Sequence, residues 1–213
     1  MSTEQPPKRR TQRERREATV ARLVDATIAS IARVGYAGTS VGEICGRSGV
    51  SRGGLFRHFD SRLALVAAAA EEVARRHLAL VRHRLAALPP VDLRAALALM
   101  RERNRDDDNV VWFELMVAAR TDADLRAHLA PVADRFFTEI TRVARGLPAL
   151  AALPDDALHL FVSSARNLFD GEAISRTVVP DPEAEDARLD LLADYAEFLV
   201  ARHTRSSPSP QHA

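Results

Sequence analysis

Apolar residues recur at every third or fourth position along most of this chain, a spacing that places side chains on one face of an α-helix. Near the start of the chain, this spacing is shown by Val20, Val24, Ile28 and Ile31. No segment alternates apolar and polar residues at every second position, as a half-buried strand would, and the chain has no internal repeat. The pattern therefore predicts an all-α protein.

The last two predicted helices carry the longest apolar stripes. The first, from Asp155 to about Arg176, has one stripe formed by Leu158, Phe161, Val162, Ala165, Leu168 and Phe169. The second, from about Glu183 to His203, has one stripe of Leu189, Leu192, Ala196, Leu199 and Val200 and another of Leu191, Tyr195 and Phe198. A helix that is apolar on two sides needs two packing surfaces. The second stripe indicates a homodimer joined by the last two long helices of each copy, unless this helix is central within one chain.

Prolines and acidic residues divide the middle of the chain. Helices are predicted from Arg62 to about Leu88, where Pro89 and Pro90 follow, from Asp92 to about Arg105, over Val110 to Ala119, and from Asp122 or Asp124 to about Arg145. Pro131 either kinks the last of these or starts a new helix. The acidic run Asp106 to Asn109 lacks the spaced ligands and the glycine of a calcium loop, so it predicts a solvated connection rather than a metal site.

A segment near the N-terminus predicts two short helices joined by a tight turn. Thr39 or Ser40 can cap the first helix, and Glu43 lies at the position of a capping box with Ser40. Gly49 can take the positive φ that the turn requires, and Ser51 can cap the second helix. This arrangement is a helix-turn-helix, whose second helix lies in a DNA major groove.

Apolar residues at helical spacing would close a small core beneath these two helices. They are Val41, Ile44 and Cys45 on the first helix, and Leu55 and Phe59 on the second. Cys45 is interpreted as a small core residue, since a single cysteine excludes an intramolecular disulfide and a multi-cysteine zinc site.

The stretch from about Ala18 to Ala68 resembles the N-terminal DNA-binding domain of the TetR family of bacterial transcriptional regulators. The resemblance is carried by Val34-Gly35-Tyr36, Thr39-Ser40, the run from Gly49 to Phe59, and Ser61-Arg62. It implies a ligand-responsive repressor that binds a palindromic double-stranded DNA operator as a homodimer and is released by a small-molecule effector. The rest of the chain resembles the family in size and helical character only.

The resemblance also implies which residues contact DNA. The residues that meet bases or the adjacent backbone are Arg52, Gly54 and Phe56, and those that grip phosphates are Thr39, His58 and Arg62. Arg52 is the leading base reader because its guanidinium can pair with guanine O6 and N7, and Arg57 and Arg47 are the next candidates. Ser51 and Gly53 complete the predicted contact set.

Three positions depart from the usual family pattern. Phe56 stands where Tyr is usual, Gly54 has no side chain to read a base, and Gly42 stands where a longer polar residue is common. Direct readout is therefore expected to depend on few side chains, with DNA shape and a basic N-terminal arm contributing more. The same departures leave open an alternative, a helical ligand-binding or scaffold protein that keeps the motif without operator binding. Phe56 and His58 also remain candidates for internal packing.

By resemblance, the helices beyond Arg62 enclose a pocket for the effector. The large apolar candidates for its lining are Met100, Trp112, Phe113, Met116, Phe136 and Phe137, and the candidate polar anchors are Arg120, Asn167, Asn104 and His128. For each apolar candidate, a place in the core is the favoured alternative. The identity of the effector does not follow from the sequence.

Charge is distributed unevenly along the chain. Residues through Arg62 contain 12 Lys and Arg against 6 Asp and Glu, whereas the remainder contains 18 against 23, although the net charge is only +1. An excess of basic residues beside the helix-turn-helix suits a surface that neutralises DNA phosphates. The predicted organisation is a flexible basic arm (1–13), a DNA-binding domain (14–62), a ligand-binding and dimerisation domain (63–204) and a disordered tail (205–213).

Composition and motifs exclude several other classes of protein. The chain is 46% hydrophobic and 28% charged, which is ordinary for a soluble domain. No apolar run approaches the roughly 20 residues that span a bilayer, so we expect a cytoplasmic protein. The 7 histidines form no His-x-x-x-His pair or HExxH motif, and neither a nucleophile elbow nor a phosphate-binding glycine loop is present. We therefore expect no enzymatic activity, cofactor or metal.

Overall fold

The computed structural model of the chain describes residues 11–87 and 93–206. Within these residues the backbone forms helices and no strand, so the all-α prediction is confirmed. The α-helices are α1 (Gln12–Gly38), α2 (Val41–Ser48), α3 (Arg52–Leu55), α4 (Arg62–Ala87), α5 (Leu93–Asn104), α6 (Asp107–Ala118), α7 (Ala123–Arg145), α8 (Asp155–Ser175) and α9 (Pro182–Ser206), with a 3-10 turn at Pro148–Leu150.

Helix α1 begins at Gln12, slightly earlier than the expected start at Glu14. The Thr11 hydroxyl accepts a hydrogen bond from the Glu14 backbone N–H at 3.2 Å, and the Glu14 carboxylate accepts one from the Thr11 N–H at 2.8 Å. This reciprocal capping box satisfies two amides at the start of the helix. The last residues assigned to the basic arm therefore belong to α1, and residues 1–10 lie outside the described part of the chain.

The C-terminal end of α1 contains a break. Gly35 has φ 72° and ψ 171°, which is not helical, and one further turn follows it to Gly38. The sequence predicts that Gly35 ends the helix, and the backbone does leave the α conformation there because glycine has no Cβ to oppose a positive φ. The extra turn carries Tyr36 towards the larger part of the molecule.

The helix-turn-helix forms as its capping residues predict. Ser40 accepts a hydrogen bond from the Glu43 backbone N–H at 3.1 Å, whereas the Glu43 side chain pairs with Arg47 at 2.7 Å instead of completing a capping box. Gly49 has φ 67° in the turn. Ser51 then accepts a hydrogen bond from the Gly54 N–H at 3.1 Å and starts α3.

The recognition helix α3 is shorter than the sequence predicts, because Phe59, expected on this helix, lies beyond its end. Its α-helical part ends at Leu55, and tighter turns continue through His58, whose N–H donates to the Leu55 carbonyl at 2.9 Å. Two consecutive glycines weaken the helix at this point, because glycine costs about 1 kcal/mol of helix propensity relative to alanine. Ser61 then caps α4 by accepting from the Ala64 N–H at 3.0 Å.

The small core under these helices joins the core of the larger domain. Ile44 and Leu55 are fully buried, and Val41, Cys45 and Phe59 pack partly buried against them, as expected. Helix α1 packs against α2, α4 and α6, and α4 packs against α7. The two domains therefore share α1 and α4 as structural elements.

The acidic connection between α5 and α6 is shorter than expected. The expected break covered Asp106 to Asn109, but α6 already begins at Asp107. Asp106 forms an ion pair with Arg103, and the buried Asn109 side chain donates to the Asn104 carbonyl at 3.1 Å. Asp92, the expected cap of α5, lies outside the described residues.

Helix α7 is continuous through Pro131, so this proline does not start a new helix. Of the two expected caps of α7, Asp122 and Asp124, it is Asp122 that accepts a hydrogen bond from the Leu125 N–H, at 2.9 Å. Helix α9 extends to Ser206, so Arg205, where a disordered tail was expected to begin, is helical. Residues 207–213 lie outside the described part of the chain.

The two apolar stripes of α9 have different surroundings. Leu189, Leu192 and Ala196 of the first stripe are buried against the rest of the chain. In the second stripe, Leu191 is 62% exposed and Phe198 is 53% exposed. Helix α9 is therefore not enclosed on both sides within one chain.

None of the helices formed by residues 11–87 and 93–206 combines the length and apolarity needed to cross a membrane.

Candidate nucleic-acid interface

Helix α3 presents polar and aromatic side chains outward while its Leu55 anchors it to the core. Arg52, Phe56 and Arg57 are all exposed. The Arg52 guanidinium lies 5.8 Å from the centroid of the Phe56 ring, and the Arg57 Nε donates to the Gly53 carbonyl at 3.3 Å. A cation held over an aromatic ring is partly ordered before any partner binds. This arrangement can bring a guanidinium and an apolar ring to the same stretch of a groove.

Phe56 is 41% exposed, which argues against its alternative role in internal packing. A core aromatic would lose most of its contact with solvent, and Phe56 does not. Its ring suits apolar contact with a thymine methyl group or a sugar.

The two glycines of α3 have different environments. A Cβ at Gly53 would meet no atom within 4 Å, whereas a Cβ at Gly54 would lie 2.9 Å from Val50 Cγ1 and 3.2 Å from Ser51 Oγ. The absence of a side chain at Gly54 is therefore required by packing within the chain. Of the two glycines, only Gly53 has open space where its side chain would be, and the backbone of another molecule can approach there.

Two residues expected to grip phosphates are engaged inside the protein. Thr39 is fully buried, and its hydroxyl donates to the Gly35 carbonyl at 2.8 Å and lies 3.0 Å from the Ser30 hydroxyl. Arg62 donates from Nε to the Thr39 carbonyl at 2.5 Å and from Nη2 to the Tyr36 carbonyl. Both side chains hold α1, α2 and α4 together, and their contact with phosphates stays a prediction.

The remaining predicted DNA contacts lie around α3. Arg47 is exposed at the end of α2, although it pairs with Glu43. The Ser51 hydroxyl is committed to the helix cap. His58 is half-buried, and its Nδ1 is buried with no hydrogen-bond partner among the described residues, so packing and DNA contact both remain open for it.

The larger domain contains an aromatic cluster formed by His77, Trp112, Phe136 and Phe137. Trp112 and Phe136 are buried with ring centroids 5.3 Å apart, and Phe137 lies 5.5 Å from Phe136. His77 meets the Phe136 ring edge to face at 5.3 Å. Of the predicted pocket residues, only Trp112, Phe136 and Phe137 come together here.

The aromatic cluster includes the ionisable His77 and is contacted by Arg166, which interacts in turn with Asp170, and the sequence did not reveal these groups. Burial lowers the pKa of His77 to about 4, so its imidazole is neutral at pH 7. Burial raises the pKa of Asp170 to about 6, and the Asn104 amide donates to this carboxyl at 2.7 Å. The Arg166 guanidinium lies 3.7 Å from the centroid of the Phe137 ring, and burial lowers its pKa. A ring of apolar surface with a few polar groups is the usual composition of a small-molecule site.

The other predicted pocket residues lie elsewhere. Met100 is half-buried against the core, and Met116, Arg120, Asn167 and His128 are exposed. Phe113 lines a groove of about 440 Å³ between α6 and the end of α8, together with Asn104 and Glu114. A groove of about 720 Å³ between α1 and α4 has a mostly charged rim and none of the predicted pocket residues.

Known proteins similar to this chain match its helix-turn-helix segment and, beyond it, most of its length. Residues 23–69 match the family model of the bacterial regulatory proteins of the tetR family. The chain is 43% identical over 185 residues to an uncharacterized HTH-type transcriptional regulator of Mycobacterium tuberculosis, covering 86% of this chain and 95% of that protein. It is 35% identical over 170 residues to the HTH-type transcriptional regulator CymR of Pseudomonas putida, covering 76% of this chain and 83% of that protein.

The fold is likewise similar to a solved structure. A crystal structure described as that of a TetR-family transcriptional regulator from Rhodococcus sp. superposes with a TM-score of 0.67 and 20% sequence identity. The match covers 84% of this chain and 99% of that chain. The arrangement of an N-terminal helix-turn-helix on a larger helical domain is therefore common to both.

Proposed function

Because this chain belongs to the TetR family of bacterial regulatory proteins, we propose that it is a repressor that binds a palindromic operator as a homodimer and is released by a small-molecule effector. The chain is a DNA-binding transcriptional regulator and not an enzyme. Its place of action would be the cytoplasm, where bacterial DNA lies.

The observation that carries the proposal is the outward presentation of Arg52, Phe56 and Arg57 on α3 and the turn that follows it, next to the fully buried Leu55. The buried leucine fixes the backbone of this segment, so the three exposed side chains project from a defined surface. Arg52 reads a guanine through its two parallel donors, and Phe56 contacts an apolar base edge or a sugar. Arg57 and Arg47 neutralise phosphates, which position the protein without reading sequence.

The exposed stripe of α9 supports a homodimer. Leu191, Tyr195 and Phe198 form an apolar face on α9, and Leu160 of α8 is also exposed. The Tyr195 and Phe198 rings are stacked with their centroids 6.4 Å apart, so the face is already ordered in one chain. Two copies related by a two-fold axis would bury these faces against each other in a four-helix interface. Such a dimer presents two equal copies of α3 to a palindromic operator.

The aromatic cluster supports an effector site in the larger domain. Phe137 and Arg166 line a cavity of about 180 Å³, and the buried Trp112 and Phe136 pack against Phe137. Charge attraction between the Arg166 guanidinium and the Asp170 carboxyl places groups of both signs near this cavity. The proposed effector is a small molecule with an apolar or aromatic body and a polar group. It releases the operator only by binding more tightly to the conformation that does not fit DNA. The exposed Met116, Arg120 and Asn167 are not part of this proposed lining.

The first experiment is a gel shift with duplex DNA from upstream of the gene that encodes this chain. A specific, salt-sensitive complex with a palindromic segment is expected, with two half-sites about 34–36 Å apart or at a related spacing. Arg52→Ala should weaken specific binding by about 1–3 kcal/mol and relax one operator position. Arg142→Ala, which removes an exposed arginine from α7, is the matched control and should bind as the wild type does.

Two outcomes would contradict the proposal. Equal affinity of the wild type for every duplex would favour the alternative of a helical ligand-binding or scaffold protein. A monomer at micromolar concentration in sedimentation would remove the two-fold arrangement. An unchanged footprint and affinity in Arg52→Ala would remove Arg52 as a base reader while leaving the rest of the surface in place.

A further inference from the structure

The broken end of α1 is held by residues far away in the sequence. The Tyr36 backbone N–H donates to Oε1 of Glu114 in α6 at 2.9 Å. The Tyr36 hydroxyl donates to Oδ2 of Asp122, the cap of α7, also at 2.9 Å. Gly35 permits this approach, since a Cβ there would lie only 2.8 Å from Glu114 Oε1. The larger domain therefore holds α1 at its backbone and at its one tyrosine side chain.

The DNA-binding domain grips the same tyrosine from the other side. Arg62, the first residue of α4, donates to the carbonyls of Tyr36 and Thr39, and its guanidinium lies 4.3 Å from the centroid of the Tyr36 ring. The Tyr36 N–H, carbonyl, ring and hydroxyl are thus all engaged, by α4, α6 and the start of α7. Hydrogen bonds from the Leu125 N–H and the Tyr36 hydroxyl hold the pKa of Asp122 below its usual value, so its carboxylate remains charged at neutral pH.

Helix α6 connects this junction to the interior of the larger domain. Trp112 belongs to the aromatic cluster, Phe113 lines the groove beside α8, and Glu114 bonds to Tyr36. Consecutive residues of an α-helix project about 100° apart, so Trp112 packs in the aromatic cluster while Phe113 and Glu114 line the groove beside α8, where Glu114 also bonds to Tyr36. A rotation or shift of α6 that changes the packing of Trp112 therefore also moves the carboxylate of Glu114.

We infer that Glu114 and Tyr36 are positioning residues, which set the orientation of the DNA-binding domain on the larger domain through α6. The hydrogen bond between them transmits a displacement of α6 to α1, and through Arg62 to α4 and the helix-turn-helix. The inference depends on the proposed function only for its effect on operator affinity, because the orientation of the two domains can be measured without DNA.

The test measures the distance between two spin labels in the full-length chain. Gly46→Cys places a label on α2, where an added Cβ meets no atom within 4 Å, and Ala151→Cys places one on an exposed turn of the larger domain. A Cys45→Ala background removes the native thiol. The variants Glu114→Ala, Glu114→Gln and Tyr36→Phe are then compared with unsubstituted protein.

Glu114→Ala removes the acceptor of the Tyr36 N–H, so its distance distribution should broaden. Glu114→Gln keeps a carbonyl oxygen that can accept the same hydrogen bond and should restore the narrow distribution. Tyr36→Phe loses only the bond to Asp122 and should broaden the distribution less. Asp124→Asn, an exposed acid at the start of α7, is the matched control for loss of charge and should change nothing.

Operator affinity is measured on the same substitutions without labels, with helicity by circular dichroism as the check on folding. Glu114→Ala should lose about 5-fold or more in specific affinity, the lower end of a typical coupling between sites, and Glu114→Gln should recover it. A folded Glu114→Ala protein with an unchanged distance distribution would overturn the inference, as would Glu114→Gln broadening as much as Glu114→Ala. If the wild type shows no operator preference, the proposed function fails, whereas the distance measurements still decide the inference.

Discussion

The adjacent glycines of α3 predict two substitutions with opposite effects on stability. In Gly54→Ala, the new methyl group would lie 2.9 Å from Val50 Cγ1 and 3.2 Å from Ser51 Oγ, closer than carbon and oxygen atoms approach without a shift. Val50 is buried and β-branched, so it cannot turn away easily. In Gly53→Ala, the new methyl group meets no atom of the chain within 4 Å.

The magnitudes follow from two opposing contributions. Replacing glycine by alanine at a compatible position stabilises a protein by about 0.4–1 kcal/mol, because the unfolded chain loses conformational freedom. Forcing an extra methyl group into a packed site costs about 1–3 kcal/mol. Gly53→Ala should therefore gain about 0.4–1 kcal/mol, whereas Gly54→Ala should lose about 0.5–2 kcal/mol, the second contribution exceeding the first.

Urea denaturation followed by far-UV circular dichroism measures both free energies of unfolding, and a gel shift on the same preparations measures operator affinity. Gly53→Ala should be more stable than the wild type and yet bind the operator less tightly, because its methyl group stands on the surface that is proposed to approach DNA. Gly54→Ala proving as stable as Gly53→Ala would refute the steric argument. A Gly53→Ala variant with unchanged operator affinity would refute the close approach of DNA at Gly53.

Two further predictions concern buried charge in the larger domain. Arg105 forms ion pairs at 2.6 Å with both Glu172 and Glu185, whose side chains are almost fully buried. Arg105→Ala should therefore lower the free energy of unfolding, measured by urea denaturation, by about 3 kcal/mol. The control Arg135→Ala breaks an exposed ion pair and should lower it by less than about 1 kcal/mol, and a similar loss in both variants would contradict the prediction. Asp170 has a folded-state pKa raised to about 6 from an ordinary value near 4, so the wild type loses stability as the pH rises from about 4 to 6. Asp170→Asn should therefore be more stable than the wild type at pH 7 by about 1–3 kcal/mol. In urea denaturation at several pH values, this difference in the free energy of unfolding should vanish below about pH 4. A difference that does not change with pH would show that the carboxyl group is not its cause.

Much of the candidate DNA surface could be predicted because the interactions that form it are local. The caps at Ser40, Ser51 and Ser61 join residues three positions apart, and the turn at Gly49 depends on the freedom of one residue. Helical periodicity likewise predicted the buried stripes of α8 and the two-sided character of α9. The recognition helix was the exception in length, since Gly53 and Gly54 weaken it within a single turn.

The effector site could be predicted only in part. Large apolar residues such as Trp112 and Phe136 have the same sequence signature whether they line a cavity or fill a core. Met116 and Asn167 showed no sign in the sequence that they would face solvent. The buried ionisable groups at His77 and Asp170 were missed because a polar residue on a helix gives no local signal of what packs over it.

Local patterns in the sequence were enough to predict the helical class, the helix-turn-helix with its caps and glycine turn, and the two apolar stripes of α9. The packing of whole helices was needed to show that one of these stripes is exposed, that Thr39 and Arg62 turn inward, and that Tyr36 meets Glu114. The difference lies in the distance along the chain between the residues that interact. Caps and periodicity involve neighbours within a turn or two of helix, whereas the Tyr36 contact joins residues separated by 78 positions, whose proximity depends on how whole helices pack.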